Sequence, residues 1–70
     1  MYKLTKRETE VMRHLCEGLT AQGVGERIGL SSRTVEIHKA SAIKKLDARN
    51  QTHAAVLFDR AQRETQHEHG

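Results

Sequence analysis

The sequence predicts an all-α domain of four short helices, two of them joined by a tight turn. Three observations carry that reading. Apolar residues recur at intervals of three and four along the chain. Thr5, Thr20, Ser31 and Asn50 each stand where an N-cap is needed, and Gly18, Gly29 and Asp47 stand where a stop is needed. With 70 residues and no Pro, the chain has room for one domain and a small core.

Each element has its own justification. Helix one is expected at about 6–17. Thr5 followed by Glu8 makes a capping box, the hydroxyl accepting from a first-turn amide while the carboxylate reaches back. Val11, Leu15 and Leu19 recur by fours with Met12 and Cys16 beside them, and Cys16 reads as a small core residue. Helix two, about 20–28, opens at Thr20 and aligns Val24 with Ile28. Gly23 and Gly25 lie inside it, each at a cost of about 1 kcal/mol against Ala. Packing must hold such a helix, and Gly suits the close crossing of another helix. Helix three, about 32–46, is capped by Ser31 and turns Val35, Ala42 or Ile43, and Leu46 inward. Its other face carries Arg33, Glu36, Ile37, Ala40, Ser41 and Lys44. Lys44 and Lys45 suit the negative end of the helix dipole, and Asp47 falls where a left-handed cap would. Helix four, about 51–64, follows Asn50 and lines up Ala54, Leu57, Phe58 and Ala61. The domain is thus read as 1–64, with a polar tail at 65–70 expected to be disordered.

Composition excludes several classes. No run of about 18 apolar residues exists to cross a membrane, and the start MYKLTKRETE has no apolar stretch of a signal peptide. One Cys makes no internal disulfide. No nucleophile–base pair, carboxylate pair or metal set assembles, so an enzyme is not expected. His67 and His69 alone close no metal site, and no metal, cofactor or small-molecule ligand is expected. Twelve Lys and Arg against nine Asp and Glu leave a net charge of +3. That excess is local. Residues 1–30 sum to +1, residues 59–70 to −1, and residues 31–49 to +3 through Arg33, Lys39, Lys44, Lys45 and Arg49 against Glu36 and Asp47. A phosphate-facing surface requires this concentration of charge; a solvated Lys/Arg face would also produce it.

Only Gly-Leu-Ser separates helices two and three. A short helix, a tight turn with Gly and a longer helix form the helix-turn-helix plan. In that plan the second helix enters the DNA major groove and the first crosses the backbone.

The strings LTKRETEVMRHLCEGLT and GLSSRTVEIHKASAIKKLDARNQTHAAV resemble the LuxR/GerE-type DNA-binding domain, the effector domain of FixJ/NarL-type response regulators. The resemblance runs from Leu4 to Val56. It rests on Leu4-Thr5 with Arg7-Glu8, Glu10-Val11, Gly18-Leu19-Thr20, Ser31, Thr34-Val35, His38 and Lys45-Leu46. It implies a bacterial, cytoplasmic, nucleoid-associated transcriptional regulator that binds double-stranded DNA as a homodimer. By position, it places Arg33, Glu36, Ile37 and Ala40 toward bases. Thr20, Gln22, Thr34, His38, Lys39, Lys44 and Lys45 fall toward the DNA backbone. It also assigns Ala54, Leu57, Phe58 and Ala61 to a dimer contact through helix four.

Four positions depart from the family pattern. Gly23 replaces a Glu, Gly25 an Ala, Asp47 a Gly, and Ala42 a larger aliphatic residue. They imply a softer domain, ordered fully on DNA or in a dimer. Glu36 and Ala40 also leave the groove face short of hydrogen-bond donors. A second reading follows: a stand-alone protein–protein module of the same fold that modulates a larger relative through helix four. Met1, three residues ahead of Leu4, fits a stand-alone chain and equally an excised domain.

Overall fold

The computed structural model describes the backbone of residues 3–69 and the side chains of residues 3–63. Four helices follow in order: α1 (Lys6–Cys16), α2 (Ala21–Ile28), α3 (Ser32–Lys45) and α4 (Gln51–His69), with no strand among the described residues.

The predicted caps form. Thr5 Oγ1 accepts from Glu8 N at 3.1 Å, and Thr5 N donates to Glu8 Oε1 at 2.8 Å, completing the capping box. Thr20 Oγ1 accepts from Gly23 N at 3.1 Å, half of such a box, because Gly23 has no side chain to reach back. Ser31 Oγ accepts from Thr34 N at 3.2 Å, and Asn50 Oδ1 from His53 N at 2.8 Å. Asp47 takes the left-handed conformation, φ 56°, that ends the turn after α3.

The core gathers Val11, Met12 and Leu15 of α1, Val24 of α2, Val35 and Ala42 of α3, Leu46, and Ala54 and Phe58 of α4. Its centre is α3, which packs against both α1 and α2, while α4 lies mainly along α1. Ala42 and Leu46 take the inward positions and Ile43 packs at the margin, which settles the choice the periodicity left open.

The turn between α2 and α3 is built on backbone. Gly29 adopts φ 75°, ψ 31°, the left-handed cap that Gly enters at no steric cost. The Gly25 carbonyl accepts from Gly29 N at 2.8 Å and from Leu30 N at 2.9 Å. A Cβ on Gly25 would lie 2.3 Å from the Leu30 carbonyl oxygen. The close neighbour expected at this glycine is therefore the turn itself and not a crossing helix.

Two sequence expectations are corrected. Cys16 is exposed and not in the core. Four residues on from Met12 at about 100° each, it falls about 40° past it, on the rim of the α1 stripe, where its thiol meets the Ala55 carbonyl of α4 at 3.7 Å. The partial covering there, followed by the charges of Asp59 and Glu17, pushes the thiol above its ordinary pKa. Second, α4 runs to His69, past the end expected at 64. No Gly or Pro intervenes before Gly70, which lies outside the described residues.

Candidate nucleic-acid interface

Arg33, Ile37, Ala40 and Lys44 recur at spacings of four, three and four on α3, and all four are exposed. They make a stripe about 16 Å long with a cation at each end. Glu36, also exposed, flanks it. The groove-facing set expected from sequence thus shares one accessible face, opposite the buried Val35, Ala42 and Leu46.

Other expected contact residues occupy the edges. Thr34 is half-buried and bound to Ser31, whose hydroxyl donates to Thr34 Oγ1 at 3.0 Å. His38 is half-buried on the flank. Thr20 and Gln22 are exposed at the start of α2. No acidic residue stands in the first turn of α2 or α3, so the positive dipole ends of both helices are unopposed there by a carboxylate. Such ends suit phosphate. Arg49, exposed in the turn after α3, belongs to the same basic stretch but has no place in the helix-three pattern. Only the local charge sum pointed to it.

Two lysines are committed within the protein. Lys39 Nζ lies 2.6 Å from Glu36 Oε1 and donates to Gln51 Oε1 of α4 at 3.1 Å. Lys45 Nζ donates to Glu8 Oε1 at 2.8 Å, tying the end of α3 to the start of α1. Glu8 is only 4% exposed. Burial by itself would raise its pKa, but hydrogen bonds from Lys45, Ser41 and the Thr5 amide, with the Lys45 charge, outweigh it and bring the carboxyl from 4.5 to about 2. Local spacing cannot reveal this pair, because its members stand 37 residues apart.

The four residues assigned to a dimer contact divide. Ala54 and Phe58 belong to the chain's own core, Ala54 fully covered and Phe58 with only an edge showing. Leu57 and Ala61 are half-buried. Val56, which the sequence reading did not single out, is 51% exposed on α4. Among the described residues no cluster of His, Cys, Asp and Glu could hold a metal ion, and no helix is long and apolar enough to cross a membrane.

A short helix, a glycine-built turn and a longer helix with one basic, accessible face define a helix-turn-helix protein of the nucleic-acid-binding kind. Comparison with known proteins narrows that class. Residues 2–58 match the family model described as bacterial regulatory proteins, luxR family, and the chain belongs to that family. It is 44% identical over 55 residues to the transcriptional activator protein BjaR1 of Bradyrhizobium diazoefficiens, covering 79% of this chain and 23% of that protein. It is 39% identical over 57 residues to the transcriptional regulatory protein LiaR of Bacillus subtilis, covering 81% of this chain and 27% of that protein. The chain therefore spans about a quarter of the length of these relatives. Among solved structures, the transcription factor GerE superposes with a TM-score of 0.78 at 25% identity, over 84% of this chain and 88% of that one.

Proposed function

We propose that this chain binds double-stranded DNA sequence-specifically and regulates transcription, with α3 in the major groove. The observation that carries the reading is the exposed Arg33–Ile37–Ala40–Lys44 stripe on the second helix of the motif. Phosphate contacts by Lys44, with the N-terminus of α2 around Thr20 and Gln22, supply affinity; Arg33 and the middle of the stripe face the bases and supply specificity. Binding needs no cofactor and no chemistry. The working form is a homodimer on two half-sites about 34–36 Å apart. Its contact on α4 is formed by Val56, Leu57 and Ala61, and its place is the bacterial cytoplasm, on the nucleoid.

Anisotropy titrations against duplex DNA at several salt concentrations test this. Removing both cations, Arg33→Ala with Lys44→Ala, should weaken binding and make the slope of log K against log salt shallower by about one for each cation that meets a phosphate. An unchanged affinity and slope would remove the stripe from the DNA interface.

A further inference from the structure

We propose that Ile37 is a specificity-determining residue of this face and that it reads the C5-methyl group of thymine. The inference deepens the DNA-binding reading and rests on it. Ile37 is 60% exposed, the most exposed large apolar side chain among the described residues. Leaving it in water forgoes the stabilisation that covering its branched side chain would bring. Its position explains the exposure. It sits within the stripe, between Arg33 and Lys44, with the small Ala40 one turn on.

The chemistry of that centre is restricted. Neither Ile37 nor Ala40 carries a side-chain donor or acceptor. The apolar feature that a base presents in the major groove is the thymine methyl. The polar neighbours that could read a base are Arg33, one turn back, toward guanine, and Glu36, by accepting from a cytosine amine. Its carboxylate is held by Lys39 at 2.6 Å, and Lys39 is itself anchored to Gln51 of α4 at 3.1 Å. The pair leaves Glu36 Oε2 as the oxygen open to a cytosine amine and offsets the carboxylate's charge, so Glu36 flanks the apolar centre and does not fill it. Between the two end cations, the uncharged centre discriminates by shape and methyl contact.

The test uses the whole 70-residue chain. Bound duplexes are selected from random DNA, and the preferred duplex is then made with each thymine in turn replaced by deoxyuridine. That replacement removes the methyl group and keeps the base pair. At one thymine or more in each half-site, the replacement should weaken binding about four-fold, the effect of one buried methyl-sized group. Ile37→Ala should bind the thymine and deoxyuridine duplexes at that position equally, while Ile37→Val should keep most of the difference. The proposal is overturned if every deoxyuridine duplex binds the parent chain as well as the original does. It is also overturned if the loss persists undiminished in Ile37→Ala. Absence of any salt-dependent binding to any duplex would overturn the DNA-binding reading beneath it, a result distinct from either.

Discussion

The two ends of α3 are held in different ways. At its N-terminus the helix is aimed by main chain: the Gly25 carbonyl accepts from Gly29 and Leu30, and the Leu30 carbonyl fills the space where Gly25 would carry a Cβ. At its C-terminus the helix is tied across the domain by a side-chain pair, Lys45 with the buried Glu8, while the left-handed backbone of Asp47 turns the chain. The first leaves no room for a Cβ at Gly25 unless the turn shifts. The second depends on charge and therefore on solution conditions.

Substitutions can break either anchor, and the largest effect belongs to the first. Ala ordinarily stabilises a helix relative to Gly by about 1 kcal/mol. At Gly25 its Cβ would sit 2.3 Å from a backbone oxygen, so the turn must open. Gly25→Ala should cost a net of about 2–3 kcal/mol, read as a lower midpoint in urea unfolding. An unchanged or raised midpoint would show that the turn yields cheaply.

Next comes the other anchor. Lys45→Met leaves the Glu8 carboxylate buried without its cation and should cost about 1–2 kcal/mol at pH 7, a figure held down because Lys45 is partly solvated. The effect has a defined pH dependence. Glu8 titrates at about 2 in the folded chain against an ordinary 4.5. Between those values the unfolded chain therefore binds the extra proton. The stabilisation is complete above about pH 5 and is lost as the pH falls through 4.5 toward 2. Thermal melts of parent and variant should converge over that window; a gap that persists at pH 2 would exclude the charge as its source.

The smallest effects sharpen the contrast. Gly23 lies in the same helix as Gly25, but its added Cβ would meet only ordinary contacts, 3.5 Å from Thr20 Oγ1 and 3.6 Å from Leu19. Gly23→Ala should stabilise by about 0.5 kcal/mol. Asp47→Gly, which relieves a non-glycine left-handed residue, should gain about 0.5 kcal/mol. Both are read as raised urea midpoints. A loss at Gly23 would mean that the intolerance at Gly25 belongs to α2 as a whole.

Much of this fold is legible in the sequence because its determinants are local. Thr5, Thr20, Ser31 and Asn50 cap helices through atoms three residues away, so their spacing suffices. The exposed face of α3 is legible because 3.6 residues per turn places Arg33, Ile37, Ala40 and Lys44 together wherever the helix packs. Features that depend on another element were not legible. An apolar stripe on α4 does not say whose surface covers it, and Ala54 and Phe58 proved to be covered by their own chain. Lys45 and Lys39 look in sequence like cations open to phosphate. Their partners Glu8 and Gln51 become neighbours only when α1 and α4 pack against α3. Cys16 shows the angular limit of such reading, since one step around α1 separates core from rim.

The Gly25–Leu30 turn also has a consequence in time. Its hydrogen bond closes a loop of five residues, whereas the Lys45–Glu8 pair closes one of 37. Short loops close at lower entropic cost, so the corner between α2 and α3 belongs to the early, rate-setting structure and the far anchor to the late. Folding kinetics should carry that signature: Gly25→Ala is expected to slow refolding, and Lys45→Met to speed unfolding while leaving refolding nearly as it was. Stopped-flow chevrons that show the reverse partition would refute that order of assembly.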